Sequence, residues 1–330
     1  MKQKSIQILK GLQHSSGLLS ASALNLSTGY DKAWIRDNIY EALGFEAVND
    51  NESLVKVFRA LLDVMLKHEN KIDWAIKHKP IHRYQYIHAR FHPETFDEFD
   101  EEWGNKQYDA VGAFLFKIGD LLEKEIEVLR DVNDYRIIQK LVWYLSSIEY
   151  WHDKDNGMWE ENEEVHASSV GACVAGLKKI SQFVYVPDWL IEVGEQTLNS
   201  LLPRESETKE VDLALLSLIY PYNVVNEEQR KQILENVEKH LVRERGVIRY
   251  IGDQYYNKNG EAEWTMGFPW LAIIYKQTED VEKYVYYLQK TLKVVNEKDE
   301  LPELYYANSA EHNDNSPLGW SQALFLVAVK

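Results

Sequence analysis

The 330-residue sequence predicts an all-α protein, an (α/α)6 barrel of about twelve helices. Three observations carry that prediction. Helical periodicity runs through most of the chain, no convincing set of strands competes with it, and the connections between helices alternate between long and short.

The helices are read from apolar residues three and four apart, which fall on one face. Val111, Phe114, Ile118, Leu121 and Leu122 make such a face, and Ile233, Val237 and Leu241 make another. A third comprises Val281, Tyr284, Val285, Leu288, Leu292 and Val295. The expected helices span 2–14, 34–48, 51–78, 107–123, 132–152, 167–183, 186–202, 210–219, 226–242, 264–277, 279–296 and 316–329. Asn226 followed by Gln229 is a capping box for the ninth. Short extended pieces fit near Arg83–Phe91 and Val247–Tyr250.

Connections after the odd-numbered helices are mostly long: 15–33, 79–106, 153–166, 203–209, 243–263 and 297–315. Those after the even-numbered helices are short, which makes the helices they join antiparallel neighbours. Six helical hairpins then follow one another, inner and outer helices alternate, and the long connections collect at one end. Long loops on a rigid scaffold are where sites are usually built. No linker or low-complexity stretch interrupts the series, so 1–330 reads as a single domain. Two bundles divided near 184 are the structural alternative.

Composition narrows the function. At 45% hydrophobic and 27% charged the chain is an ordinary globular one. A net charge of −16 disfavours nucleic acid and anionic membranes and is compatible with neutral sugars. The longest apolar stretch, near Leu318–Val329, is broken by Ser321 and Gln322 and is too short to span a bilayer. Cys173 is the only cysteine and sits in an apolar helical run, so it reads as a core residue. No intrachain disulfide can form, and the N-terminus lacks the apolar region of a signal peptide. A cytoplasmic location is expected.

The polar and aromatic signals fall in the long connections or just after them. In Trp34-Ile-Arg-Asp-Asn38, Arg36 and Asp37 can grip hydroxyls while the indole packs on a pyranose face. Asp37 also suits a helix start for dipole reasons alone. In Trp103-Gly-Asn-Lys-Gln-Tyr-Asp109, Gln107 and Asp109 can bond hydroxyls, and Asp109 can equally cap its helix. Asn156-Gly157 marks a turn just before Trp159, Glu160 and Glu161. An acid packed by Trp159 has its charged form disfavoured, as a general acid requires. Arg249-Tyr250, with Glu263-Trp264, repeats the arginine, carboxylate and aromatic combination. Glu303, in Leu301-Pro-Glu-Leu-Tyr-Tyr306, can act as an ionised base holding a water.

Metals are not called for. Asp153, Asp155 and Glu164 only loosely match a calcium loop, because Met158 stands where its glycine belongs. His78, His82, His88 and His92 cluster before Trp103, but Pro80 argues against a continuous helix between the first two. No phosphate-binding glycine loop and no nucleophile elbow are present. No cofactor is expected, and the sequence identifies no protein partner.

Together, Trp34-Ile-Arg-Asp37, Trp103-Gly-x-x-Gln-x-Asp109, Gly157-Met-Trp-Glu-Glu161, Arg249-Tyr250, Leu301-Pro-Glu303 and Trp320-Ser321 resemble the glucoamylase family, glycoside hydrolase family 15. They occur in the family's order and cover nearly the whole chain. Ala33–Tyr40, His166–Gly171, Asp212–Ser217 and Leu301–Tyr306 are closer to one branch, the N-terminal glucoamylase-like domain of phosphorylase kinase α and β subunits. The resemblance implies an (α/α)6 barrel and exo-acting, inverting hydrolysis of α-linked glucosides. It aligns Glu160 with the general acid and Glu303 with the general base, which should lie roughly 6.5–9.5 Å apart. It aligns Trp34, Arg36 and Asp37 with residues that hold the non-reducing glucose, and Trp103, Glu161 and Arg249 with further substrate contacts. The chain shows neither the β-sandwich domain of many bacterial members nor the secretion signal of fungal ones. The expected substrate is therefore an intracellular gluco-oligosaccharide rather than starch. A regulatory or sugar-binding module is the rival reading. A terpene-cyclase-like helical barrel would need an Asp-rich metal-binding helix, and none is evident.

Overall fold

The computed structural model describes residues 1–23, 28–101 and 103–330. In chain order it contains α1 (Lys2–Leu12), β1 (Ala33–Trp34), α2 (Ile35–Ala47), α3 (Asn51–Lys67), α4 (Glu69–Lys77), β2 (Arg90–Phe91), α5 (Tyr108–Glu123), α6 (Val132–Ile148), α7 (Ala167–Ile180) and α8 (Asp188–Leu201). A 3₁₀ helix, Leu213–Leu218, comes next. The chain continues through α9 (Glu227–His240), β3 (Glu263–Trp264), α10 (Gly267–Gln277), α11 (Val281–Lys293), β4 (Leu304–Tyr305) and α12 (Gly319–Ala328).

The ring closes. α2, α5, α7, the 3₁₀ helix, α10 and α12 touch in that order, and α12 returns to α2. The other helices stand outside, each against an inner partner except α4, which packs on the outer helices α6 and α3. Burial follows this arrangement: every residue of α2 except Glu46 is buried, whereas α9 buries only Ile233, Leu234 and Val237. An inner helix has neighbours on both sides and a helix behind it, so it is apolar nearly all round, while an outer helix keeps one apolar stripe. The tightest approach joins α5 to α7. A Cβ at Gly112 would stand 2.4 Å from the Ala172 carbonyl carbon, and one at Gly176 2.3 Å from the Gly112 oxygen. Only glycine allows the two backbones to touch there.

Four expectations are corrected. The helix expected over 51–78 is two, because His68 leaves helical geometry and its Nε2 bonds the Phe96 carbonyl at 2.7 Å. The segment 210–219 forms only the 3₁₀ helix. Asp212 accepts from the Ala214 amide at 2.7 Å, and the Leu213 amide is drawn to the Arg249 carbonyl at 2.8 Å. Trp264 lies in β3, opposite Leu304 of β4, and its helix starts at Gly267. The stripe on α11 is only half covered: Val281 is 68% exposed and Leu292 49%, while Tyr287 and Thr291 turn inward. No described helix is long and apolar enough to cross a membrane.

Candidate active site

A cavity of about 370 Å³ opens where the long connections gather. Each of those connections except 202–212 contributes lining residues. Of the residues singled out in the sequence, Trp34, Arg36, Asp37, Trp103, Trp159, Glu160, Glu161, Arg249, Trp264 and Glu303 all line it.

The floor is set by β1, which pairs with β2 so that Trp34 lies opposite Arg90. The chain passes straight from β1 into α2, so Arg36 and Asp37 stand in the first helical turn. Asn38 secures the junction by donating to the Trp34 carbonyl at 2.9 Å and the Leu19 carbonyl at 3.0 Å. Arg36 Nη1 donates to Gln107 at 2.8 Å and to Asp109 at 3.0 Å, and its Nη2 reaches Glu160 at 3.3 Å. Gln107 and Asp109 are buried behind Arg36 and do not line the cavity. The structure therefore places them as supports of the guanidinium rather than within reach of hydroxyls. Asp37, buried, has its carboxyl pushed up to about 6 by desolvation, with Arg36 opposing and Glu303 adding.

Glu160 is carried by a strained turn. Its φ is 64° and that of Gly157 is 63°. Left-handed geometry is easy for glycine and unusual for glutamate, and such residues cluster at functional sites. The turn is held at both ends. Asp155 and Glu164 pair across its base, and Asn156 receives the Glu161 amide at 3.0 Å. His166 packs beneath Gly157, where a Cβ would come within 2.9 Å of the ring. The imidazole is held by Asp155 at 2.9 Å. Trp159 Nε1 donates to Asp212 at 2.7 Å. Burial raises the Glu160 carboxyl to about 7, Asp37 adds to the rise, and Arg36 and Arg90 oppose it. Its neighbour Glu161 behaves oppositely. Burial alone would raise it, but Arg249, Lys209 and the Tyr250 hydroxyl more than offset that and hold it below its ordinary value.

Glu303 is fully buried just before β4. Its amide donates to the Asn315 carbonyl at 2.8 Å, and its carbonyl accepts from Thr265 at 3.1 Å. One carboxylate oxygen accepts from Tyr30 at 2.5 Å and Tyr255 at 3.3 Å. The other accepts from Asn315 at 2.8 Å and from Asn313. Burial raises the carboxyl above its ordinary value, and Tyr30, Asn315, Asn313 and the charge of Arg249 offset only part of that rise. Arg249 is itself fixed by Asp253, at 2.7 and 2.6 Å, and by Glu161 at 2.8 Å.

Tyr30, Arg90, Asn313 and Asn315 were not found by motif reading. The asparagines follow Glu303 by 10 and 12 positions in the same connection, a signal that could have been used. Tyr30 and Arg90 carry no local pattern. Trp34, Trp264 and Trp320 line the cavity, and their indole N–H groups, themselves buried, have no hydrogen-bond partner among the described residues.

A closed helical toroid with a carboxylate-lined cavity at its loop end is the architecture of glucoamylase-type glycosidases. Solved structures agree. A wild-type glycosidase aligns with a TM-score of 0.83 at 19% identity, covering 99% of this chain and 95% of that one. A glycosidase variant in complex with glucose gives 0.84 at 18% identity, with coverage of 99% and 95%. Glucoamylase from Saccharomycopsis fibuligera gives 0.71 at 16%, with coverage of 99% and 93%. The chain belongs to glycosyl hydrolases family 15, which it matches over residues 1–328. Curated relatives include the phosphorylase b kinase regulatory subunit alpha, skeletal muscle isoform, of Oryctolagus cuniculus, 26% identical over 94% of this chain. A probable phosphorylase b kinase regulatory subunit alpha of Caenorhabditis elegans is 27% identical over 89%. The chain spans 31% and 30% of the length of these two relatives.

Proposed function

We propose that the cavity hydrolyses the terminal α-glucosidic bond of a gluco-oligosaccharide with inversion, in a cytoplasmic setting. Glu160 gives its proton to the leaving oxygen. Glu303 takes a proton from the water that attacks the anomeric carbon from the opposite face. Trp34, Arg36 and Asp37 hold the terminal glucose, and Trp103, Trp159, Glu161, Arg249 and Trp264 surround it. Gln107 and Asp109 act through Arg36. Two carboxylates suffice for this chemistry, which calls for no metal or cofactor.

The observation that carries the reading is the contrast between the two acids on one cavity. Glu160 is raised to about 7, so it keeps a proton near neutrality. Glu303 is raised by burial as well, but it meets four hydrogen-bond donors on its two oxygens, which offset part of that rise and favour the ionised form. The same four donors support a second reading. They occupy both oxygens of a group with no exposed surface, which leaves the base little room for a water. A sugar-binding regulatory module would need no such water, and the curated relatives are regulatory subunits by name.

Incubating the protein with maltose, isomaltose, trehalose and longer glucans separates the readings. Glucose release that disappears in both Glu160→Gln and Glu303→Gln, with the fold intact by circular dichroism, supports the hydrolase. Saturable binding without any product supports the module.

A further inference from the structure

The connection 202–212 sends no residue into the cavity. It nevertheless reaches the turn that carries Glu160, at three points. Asp212 accepts from the indole of Trp159 at 2.7 Å. Lys209 donates to Glu161 at 2.9 Å. Glu164 accepts from the Ser206 hydroxyl at 2.9 Å and from the amide and hydroxyl of Thr208 at 3.1 and 2.7 Å. Residues on both sides of the acid are thus anchored from outside the cavity, whereas the carboxylate of Glu160 itself meets Arg36 at a long 3.3 Å.

The connection is itself pinned. Glu205, Ser206, Lys209 and Asp212 are all buried. The Glu205 carboxylate accepts from the Ser168 amide at 3.1 Å and from the Ser168 hydroxyl, and its carbonyl takes the Ala167 amide at 2.7 Å, which ties the loop to the first turn of α7. The Lys209 carbonyl closes the loop by accepting from the Glu205 and Ser206 amides at 3.0 and 3.2 Å. Lys209 holds the central place. Its ammonium lies 4.0 Å from the centre of the Tyr250 ring and 3.8 Å from Asp212. The Glu161 carboxylate is gripped on both oxygens, Oε1 by Arg249 at 2.8 Å and Oε2 by Lys209 and Tyr250 at 2.9 and 2.6 Å. Arg249 lines the cavity and Lys209 does not, so the second cation grips Glu161 from behind. Cations on opposite oxygens fix both the position and the plane of a carboxylate. A glutamate in left-handed geometry persists only where its surroundings over-determine it, and here the residue next to Glu160 is held that firmly.

We infer that connection 202–212 is a clamp on the acid turn and that Lys209 is its principal positioning residue, acting on Glu160 through Glu161. This deepens the hydrolase reading and rests on it for the effect on turnover, while the hold on the turn stands without it.

Hydrogen exchange without substrate, read by mass spectrometry, tests the hold on the turn. The Glu161 and Glu164 amides donate to the Asn156 and Asp155 carbonyls. In Lys209→Met protein the peptides covering 155–164 should exchange about tenfold faster than in the unaltered protein, while those of α9 keep their rates. Thr208→Val, at an exposed position, should give a smaller rise at the same place, and it decides the matter should Lys209→Met not fold. Unchanged exchange in the turn, or a rise of equal size in α9, overturns the inference. Kinetics read the consequence for the acid. Lys209→Met should lower turnover of maltose or isomaltose, whichever is cleaved, about tenfold, and leave hydrolysis of α-glucosyl fluoride, whose leaving group needs no proton, within about twofold. An equal loss on both substrates contradicts the clamp, because a generally loosened fold would not distinguish them. If the unaltered protein cleaves neither kind of substrate, the hydrolase reading fails and the exchange experiment alone decides the clamp.

Discussion

The connection that carries Glu160 and the connection that carries Glu303 solve opposite problems with the same material. Both bring a glutamate to one cavity, Glu303 fully buried and Glu160 partly exposed. Around Glu160 the nearest partners are charges, with Arg36 and Arg90 pulling down and Asp37 and burial pushing up, and the carboxyl settles at about 7. Around Glu303 the partners are hydrogen-bond donors, two on each oxygen. The difference teaches that burial does not assign a role to an acid. Burial raises both carboxyls, and what distinguishes them is charged partners around Glu160 and four aimed hydrogen-bond donors around Glu303.

Removing either carboxyl breaks the comparison most severely. Glu160→Gln and Glu303→Gln should each lower turnover of a natural glucoside by about 10²–10⁴-fold. The two then part on α-glucosyl fluoride, whose leaving group needs no proton. Glu160→Gln should recover most of its rate there and Glu303→Gln should not, as steady-state kinetics on the two substrates will show.

The next effect concerns the support beneath the acid turn. His166→Gln leaves Asp155 without its charged partner and should destabilise the fold by about 3 kcal/mol, read by thermal or urea unfolding. This pair also makes stability depend on pH. Against its burial, Asp155 raises His166 from 6.5 to about 9 in the folded protein. The contribution is therefore fully present below about pH 6.5 and is lost as pH rises through about 9. The unfolding midpoint should fall across that window, and His166→Gln should remove this component of the fall.

Smaller effects follow from trimming single partners. Tyr30→Phe deletes one donor to Glu303, which raises that carboxyl and moves the acidic limb of the pH–rate profile upward. A rate loss of about tenfold is expected, since a hydrogen bond to a charged group is lost. Arg90→Met removes a charge that lowers Glu160. The alkaline limb should move upward while the acidic limb stays in place, the smallest change of the set.

Much of this site was legible in the sequence, and the limits are physical. Glu160 and Glu303 could be read because each stands beside aromatic residues in a long connection, and the alternation of connections sends those loops to one end. Gln107 and Asp109 were legible as polar residues near the site but not as supports, because only the packed guanidinium of Arg36 shows where they point. Tyr30 and Arg90 enter through β1, its pairing with β2 and the fold of the first connection, none of which leaves a periodic trace. In the scaffold, Val281 and Leu292 have helical spacing, yet periodicity gives the face of a helix and not whether anything covers it. The break at His68 depends on a carbonyl 28 positions away.

The most direct measurement is the anomeric form of the first glucose released, followed by proton NMR immediately after an α-linked substrate is added. Opposed roles for Glu160 and Glu303 predict β-glucose, which mutarotation then converts toward the equilibrium mixture. Initial release of α-glucose, or no release from any α-linked glucan tested, would contradict the account.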